Sequence, residues 1–299
     1  MALTAALTTV TLWASAFVGI RAAGEDISPG ALSLGRLLVA ALVLGAIVAV
    51  RREALPPRAD VPRLVLCALL WFGAYNVMLN AAEQRVDAGT AAMLVNVGPV
   101  LIALLAGVLL KEGFPRPLLV GCGIAFAGAV VIGLATRGQS VDAGWGAVLC
   151  LAAAAAYAGG VVAQKPLLER TSGLQITFLA CTIAALACLP FAPALVGDLG
   201  HAGAGAIAWT VYLGVVPTAI GFTTWAYALK RTSAGKMGAT TYLVPPLAIV
   251  MGLLFLGESP PALALAGGLL CLVGVAVTRG FRLRRPRAPV PAVVRDYTK

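Results

Sequence analysis

Two asparagines inside an apolar stretch are the first residues of this sequence that could do chemistry. Asn76 and Asn80 are four residues apart, and Tyr75 precedes them. On a helix this spacing places both amides on one face. Burying an amide in an apolar medium is costly, so we expect that face to line a cavity or contact another helix. Asn96 lies one turn before Pro99, where the missing proline N–H leaves a carbonyl free to accept from an ammonium group.

Hydroxyl and aromatic residues crowd two segments in the second half of the chain. Thr218 follows Pro217, and Thr241 comes shortly before Pro245. A threonine can also bond its own helix backbone, and an aromatic ring can pack or lie at a membrane interface. Taken together, these residues favour a cavity that recognises a solute through amide, hydroxyl and aromatic groups. The predicted substrate-binding residues are Trp13, Ser15, Tyr75, Asn76, Asn80, Asn96, Tyr157, Gln164, Thr218, Trp225, Tyr227, Thr241 and Tyr242.

Arg36 is the charged residue deepest within an apolar segment. It could bind a substrate carboxylate or clamp the carbonyls at a helix end, and we favour the structural role. Glu112 and Glu258 each come shortly before a proline suited to start a helix, and a carboxylate there can accept from the free N–H groups of that following helix. We predict structural or hinge roles for Arg36, Pro99, Glu112, Pro217, Pro245 and Glu258.

The elements that position these residues must be membrane helices. Hydrophobic residues make up 60% of the chain and charged residues 11%, far from the composition of a soluble domain. A helix needs roughly 20 apolar residues to cross a bilayer, and β-barrel alternation is missing from the sequence. The predicted fold is therefore all-α, with spans near 2–21, 30–50, 64–82, 89–110, 116–135, 144–163, 174–193, 205–228, 236–256 and 261–278.

The basic residues predict the orientation. With the N-terminus in the cytoplasm, eighteen Lys and Arg fall on the inner side and three on the outer side. Because cytoplasmic loops are enriched in Lys and Arg, both termini are predicted to be cytoplasmic. The net charge of +10 therefore reflects topology rather than nucleic-acid binding, and the basic tail could also touch anionic lipid.

The sequence also contains an internal repeat. Residues 96–113 read NVGPVLIALLAGVLLKEG, and residues 242–258 read YLVPPLAIVMGLLFLGE. An offset of 146 aligns Pro99 with Pro245, Glu112 with Glu258, Gly121 with Gly267 and Gly128 with Gly274. Five spans in each half mean that the second half enters the membrane from the opposite side. Inverted repeats are typical of secondary transporters, whose two halves exchange conformations around a site near the membrane midplane.

These features resemble a known family. Two five-span repeats, each with a proline in the fourth span, an LLxE-like ending at 109–112 and 255–258, and a glycine-rich fifth span, resemble the drug/metabolite transporter superfamily. Within it, the chain is similar to the ten-helix metabolite exporters of the EamA type, a likeness that residues 13–17, Arg36 and residues 227–230 share. The likeness is greatest to bacterial exporters of aromatic and other neutral amino acids.

The resemblance implies a basket-shaped arrangement of the ten helices. Spans 1–4 and 6–9 would surround a central substrate cavity, while spans 5 and 10 support it from outside. The Gly123/Ala127 and Ala264/Gly268 pairs suit close contact between supporting helices. The expected division is a first repeat at 1–138, an inverted second repeat at 139–280, and a basic cytoplasmic tail at 281–299.

The predicted function is amino-acid export by alternating access across the bacterial inner membrane. None of the predicted spans contains Asp or Glu, so a neutral or zwitterionic solute moving down its gradient fits better than proton-coupled export of cations. The sequence has no metal-ligand cluster and no phosphate-binding loop, so no enzyme activity, metal or cofactor is predicted. The alternatives are a drug or nucleotide-sugar carrier of the same fold and a non-transporting membrane protein. A monomer can complete the basket.

The predicted orientation can be tested by cysteine labelling in intact cells. A thiol introduced by Asp198→Cys should react with an impermeant reagent added outside, and one introduced by Arg58→Cys should not. The positive-inside distribution of basic residues is the physical reason. The reverse labelling pattern would contradict the inverted repeat.

Overall fold

The computed structural model describes residues 1–85, 94–135, 143–256 and 262–278. Within these ranges the chain is helical and has no strand. The helices are α1 (Ala2–Ala23), α2 (Pro29–Arg51), α3 (Arg58–Glu83), α4 (Gly98–Leu109), α5 (Arg116–Ala135), α6 (Ala143–Arg170), α7 (Gly173–Ala187, bent by 55° into Leu189–His201), α8 (Ala204–Lys230), α9 (234–256) and α10 (Ala262–Thr278).

Length and composition decide which helices can cross a membrane. Five of them, α1, α2, α3, α6 and α8, are long and apolar enough, and the bent α7 makes six if it counts as one span. Shorter apolar helices are Gly98–Leu109, Arg116–Val131 and Leu265–Thr278. The prediction of an all-α membrane protein is confirmed to this extent. The count of ten spans, their inverted arrangement and the cytoplasmic termini stay predictions.

Several helix limits differ from those predicted. Helix α6 continues past residue 163 and through Pro166 to Arg170, and α7 bends at Cys188 instead of running straight. Pro99 lies in the first turn of α4, where its missing N–H costs nothing. The predicted start of this span at residue 89 lies outside the described residues. Helix α3 begins at Arg58 and reaches Glu83, beyond both ends of the predicted span, so carboxylates do belong to membrane-length helices: Asp60 and Glu83 in α3, and Glu169 in α6.

Two helices contain a π-helical turn that the sequence pattern did not predict. One turn occupies Ala68–Ala74 in α3, and the other occupies Gly214–Ile220 in α8. They lie 146 residues apart, the same offset as the sequence repeat. A π turn widens the helix and often occurs at a functional site. In α8 the turn contains Pro217, which removes one backbone donor from it.

Extensive packing joins the two halves of the chain. Helix α1 packs on α8, α2 on α7, α3 on α6, α4 on α9, and α5 on α10. Exchanging the first five helices for the last five maps this set of pairs onto itself. Two carboxylates add polar contacts near the end of α1, because Asp198 accepts from Ser28 N–H and Oγ–H, and Asp26 accepts from Gly203 N–H.

Helices α5 and α10 approach each other through small residues. A Cβ built on Gly128 would lie 2.6 Å from the carbonyl oxygen of Gly267, and Cys271 Sγ donates to the carbonyl of Ala125 at 3.4 Å. The predicted contact through Gly123 was wrong, since nothing lies within 4 Å of a Cβ at that position. Gly268 instead faces Pro246 of α9. The close contact therefore uses the face of α5 that carries Gly121, Ala125 and Gly128.

Glu112 contacts a different helix from the one predicted. Its carboxylate accepts from the N–H groups of Ala234 (2.7 Å) and Gly235 (3.2 Å), so it caps α9 rather than α5. Free N–H groups at a helix N-terminus favour a carboxylate wherever it comes from in the chain. The turn between α4 and α5 is thereby tied to α9. Glu258 lies outside the described residues.

The glycine contact between α5 and α10 predicts a position-specific loss of stability. Gly128→Val should lower the unfolding free energy by about 1–3 kcal/mol, because the new side chain enters space held by the α10 backbone. Gly123→Val makes the same change on the same helix where there is open space, and should cost much less. Thermal unfolding in detergent measures both. Equal melting temperatures for the two variants would contradict this packing.

Candidate functional site

A central cavity of about 80 Å³ lies where the two halves meet. It exceeds the roughly 10–15 Å³ that one water needs but is far below the ~300–1,000 Å³ of typical small-molecule pockets. Its described lining is Trp13, Ala16, Phe17 and Ile20 from α1, Arg36 from α2, Trp71, Tyr75, Asn76 and Leu79 from α3, Val95, Asn96 and Pro99 at the start of α4, Tyr157 from α6, Phe222 from α8, and Thr241, Val244 and Pro245 from α9.

Aromatic rings form one wall of this cavity. Trp13 stacks on Trp225 with ring centroids 4.9 Å apart, and Trp71 meets Phe222 edge-on at 4.9 Å. Tyr157 continues the wall at 5.4 Å from Trp71. Such pairs add to the apolar burial of each ring and hold the rings in fixed orientations. The wall therefore presents a rigid apolar surface contributed by four helices from both halves.

Arg36 is the charged residue among the described residues that line the cavity, and a chain of bonds holds it. Pro217 has no N–H to give to the carbonyl of Leu213, four residues earlier. Thr218 donates its hydroxyl to that carbonyl at 2.7 Å. The same hydroxyl oxygen accepts from Arg36 Nε at 3.1 Å and Nη2 at 3.0 Å. The proline in α8 thus creates the acceptor arrangement that positions a guanidinium of α2.

The other π turn holds Asn76 in a similar way. Its amide nitrogen donates to the carbonyl of Phe72 at 2.8 Å and, at 3.4 Å, to that of Trp71. Both carbonyls belong to the π turn of α3, where regular helix bonds are disturbed. Because the two amide hydrogens are used by the backbone, the amide oxygen is the atom left to face a ligand.

The starts of α4 and α9 complete the polar side. Asn96 lies in the turn before α4, and Thr241 lies in the 3₁₀ turn that interrupts α9. Thr241 donates to the carbonyl of Gly238, which leaves its oxygen able to accept. Tyr157 fits against Gly98, where a Cβ would lie 2.7 Å from the ring. A glycine at that position lets the ring reach the cavity wall.

The cavity brings together six of the predicted binding residues and three of the predicted structural ones. The first are Trp13, Tyr75, Asn76, Asn96, Tyr157 and Thr241, and the second are Arg36, Pro99 and Pro245. Thr218 lies behind Arg36 as its acceptor, and Pro217 lies behind Thr218. Pro217 also accepts from Trp13 Nε1 at 3.2 Å through its carbonyl.

Other predicted binding residues lie elsewhere in the structure. Ser15 bonds Tyr212 Oη at 2.7 Å, and Asn80 lines a second cavity nearer the end of α1. Tyr227 is 37% exposed and lies under the guanidinium of Arg231.

Gln164, Trp225 and Tyr242 are buried side chains of a different kind. Trp225 stacks behind Trp13, and Tyr242 packs in the cluster formed with α5 and α10. Both polar atoms of Gln164, Trp225 Nε1 and Tyr242 Oη are buried without a hydrogen-bond partner in the described part of the chain. A buried unpaired polar group costs about 1–3 kcal/mol, so these positions do not optimise the stability of this conformation.

The sequence did not predict that Phe17, Ile20, Trp71, Leu79 and Phe222 line the cavity. Large apolar residues in a membrane segment are usually interpreted as packing against other helices or lipid. A usable signal was present. Phe17 lies four residues after Trp13, Trp71 four before Tyr75, and Phe222 four after Thr218, so each shares a helix face with a residue that was predicted.

The structure so far defines a multi-pass helical membrane protein with a small amphipathic cavity between two halves. The EamA-like transporter family model matches residues 1–134 and 144–280. The chain belongs to the EamA-like transporter family, as its repeat pattern indicated, and is a transporter.

Individual relatives agree with this class. A probable terminal-alkyne amino-acid exporter of Streptantibioticus cattleyicolor is 41% identical, over 93% of each chain. The uncharacterized transporter YdfC of Bacillus subtilis is 31% identical, over 90% of this chain and 88% of its own. A probable amino-acid metabolite efflux pump of Salmonella typhimurium is 27% identical, over 94% and 95%. A solved crystal structure matches with a TM-score of 0.74 at 19% identity, over 92% of this chain and 95% of its own, and shares the fold.

The chain that positions Arg36 predicts a specific loss of stability. Thr218→Val keeps the shape but removes the acceptor of two guanidinium N–H groups, so unfolding should become easier by about 1.5–3 kcal/mol. Thr210→Val is the matched control on the same helix, because within the described ranges that hydroxyl bonds only the carbonyl of Ala206. It should cost less than about 1 kcal/mol. Melting curves in detergent compare them. A control that loses as much stability as Thr218→Val would contradict the arrangement.

Proposed function

We propose that this protein exports neutral or aromatic amino acids across the bacterial inner membrane by alternating access at the central cavity. The observation that carries the proposal is the combination of groups around one cavity: a fixed guanidinium, amide and hydroxyl groups, and an aromatic wall. These groups match the three parts of an amino acid. Two relatives support the same substrate class, one named as a probable terminal-alkyne amino-acid exporter and the other as a probable amino-acid metabolite efflux pump.

Each part of the substrate has a partner in the proposed site. Arg36 pairs with the carboxylate, as guanidinium groups do when held in a fixed orientation. The ammonium group is accepted by the oxygens of Asn76 and Thr241, with Asn96 on the same side of the cavity. The side chain lies against Trp13, Trp71 and Phe222, which tolerate different apolar shapes. This arrangement favours a zwitterion over an ion of a single charge.

Alternating access follows from the small size of the cavity and from the helix pairing. At about 80 Å³ the cavity must widen to admit an amino acid, so we take this conformation to be a contracted one. The exchangeable helix pairs and the π turns 146 residues apart support two inverted repeats that rock against each other. A monomer contains both halves of the cavity and is sufficient for this cycle.

The buried unpaired polar atoms fit such a cycle. We propose that Gln164, Trp225 and Tyr242 line the pathway when it opens toward the other side. Their polar atoms would then reach water or substrate, which removes the cost that they impose here. The cost in one conformation lowers the difference in free energy between the two, as a carrier that populates both requires.

Asn96→Leu tests the proposed site. The substitution keeps similar bulk and removes the amide, so a lost bond to a charged substrate group should weaken binding by about 1.5–3 kcal/mol. Uptake of radiolabelled L-phenylalanine and L-propargylglycine into proteoliposomes, measured at limiting concentration, should fall at least tenfold. The variant should still insert and fold, which a cooperative melting transition in detergent would show.

Phe126→Ala on α5 is the control variant for this experiment. Phe126 packs in the cluster with α9 and α10 and does not line the cavity, so its truncation should lower stability with little change in which amino acid is carried. Normal transport by Asn96→Leu, together with altered selectivity in Phe126→Ala, would show that cavity and support have been assigned to the wrong helices.

A further inference from the structure

A second cavity of about 200 Å³ lies at the end of α1, beside the central one. Its described lining comes from the end of α1, the start of α2 and the end of α3. Three carboxyl or amide side chains of that lining matter here: Glu25, Asn80 and Glu83. We call it the terminal cavity. It is apolar toward α2, where Ile27 and Leu32 are buried, and polar toward α3.

Two oxygen atoms in the lining of the terminal cavity lack hydrogen-bond donors. Asn80 is 3% exposed, and its amide nitrogen donates to Ser33 Oγ at 2.9 Å and to the carbonyl of Pro29 at 3.3 Å. Ser33 gives its own hydrogen to the same carbonyl, so it can only accept from Asn80 and fixes the amide orientation. Asn80 Oδ1 and Glu83 Oε1 are both buried without a donor among the described residues.

The charges of the lining select the ligand. Glu25 and Glu83 are opposed by Arg21 alone within the described lining, so carboxylates outnumber cations there. The two unpaired acceptor oxygens, Asn80 Oδ1 and Glu83 Oε1, can both be satisfied by one ligand group that has several donors. A primary ammonium has three N–H bonds. An anion would meet two carboxylates and no vacant donor on Asn80. The lining therefore suits a small ammonium group.

The terminal cavity lies directly beside the central one. Ile20 of α1 lines both. On α3, Asn76 faces the central cavity, and Asn80 and Glu83 follow at helical spacing on the same face and line the terminal cavity. A solute that passes Ile20 from the central cavity would therefore meet the acceptors of Asn80 and Glu83 next.

We propose that the terminal cavity is a second binding site, which holds the ammonium group of the transported amino acid between Asn80 and Glu83 after it passes Ile20. This site rests on the proposed export function and deepens it. Under the predicted topology it lies at the outer end of the pathway, so it receives the substrate last during export. The acceptor atoms of this site belong to Asn80 and Glu83 of α3, whereas the aromatic wall that contacts the substrate's side chain belongs to the central cavity. The terminal site therefore recognises the ammonium group largely irrespective of the side chain.

Protection of an introduced thiol tests this site directly. Gln84 is exposed and lines the terminal cavity, and the six native cysteines are buried, so Gln84→Cys provides one reactive thiol. Its reaction rate with N-ethylmaleimide is measured on the purified full chain in detergent. The probes are L-propargylglycine amide, which keeps the ammonium and lacks the carboxylate, and N-acetyl-L-propargylglycine, which lacks the ammonium.

The amide should slow the reaction, and the N-acetyl compound should not. Adding Glu83→Gln should raise the half-protecting concentration at least tenfold, because a charge-assisted bond is lost. Glu83→Asp keeps the charge and should stay within about threefold of the parent. Adding Asn96→Leu, which alters the central cavity, should leave protection unchanged.

Four results would overturn the proposal: no protection by the amide, equal protection by the N-acetyl compound, protection unaffected by Glu83→Gln, or protection lost with Asn96→Leu. The last result would mean that the thiol reports the central cavity. Flux without protection would remove the terminal site and leave the export function intact. Protection without flux would contradict the export function and leave the terminal site intact.

Discussion

The buried guanidinium of Arg36 imposes the constraint that organises this protein. A charge inside a membrane helix bundle needs partners from the protein, and here they come from the opposite half of the chain. Because Pro217 has no N–H, the carbonyl of Leu213 is left without its usual donor. The Thr218 hydroxyl donates to this carbonyl and accepts from Arg36. The break in α8 and the charge on α2 therefore depend on each other. Together they bring a positive charge to the wall of a cavity whose other groups are neutral among the described residues.

The same principle recurs around the cavity. A π turn in α3 exposes the carbonyls that hold Asn76, and the turn in α8 exposes the one that receives Trp13 Nε1. Each irregular turn needs a side chain to complete its hydrogen bonds, and that side chain is thereby fixed at the cavity. Helices α5 and α10 show the opposite behaviour. They are regular, pack on each other through glycine, and place no residue in either cavity's described lining. The irregular turns of α3 and α8 thus orient side chains at the site, whereas α5 and α10 support it from outside.

Much of this organisation could be predicted because it depends on composition and spacing. Apolar length predicts membrane helices, and the 146-residue offset indicated the family that the comparison confirms. The details that depend on three-dimensional contact could not be predicted. The periodicity of apolar residues does not distinguish a π turn from a regular α-helical turn. The orientations of Asn76 and Thr218, which depend on these turns, could therefore not be predicted. Glu112 was matched with the next helix in sequence, whereas the free N–H groups nearest in space belong to α9. Polar residue types in apolar segments indicated many of the polar residues of the site. They did not indicate Trp71 and Phe222, because an aromatic residue that lines a cavity cannot be distinguished in a sequence from one that packs in the core.

The central proposal is that this chain carries an amino acid through the membrane without consuming an ion gradient. Solute counterflow tests it most directly: purified protein in sealed liposomes loaded with unlabelled L-phenylalanine, labelled L-phenylalanine added outside at low concentration, and ionophores present to collapse the proton gradient and the membrane potential. The account predicts a transient accumulation of label above its outside concentration that protein-free liposomes do not show. Accumulation that disappears when the proton gradient is collapsed, or no exchange at all across a panel of neutral amino acids, would contradict it.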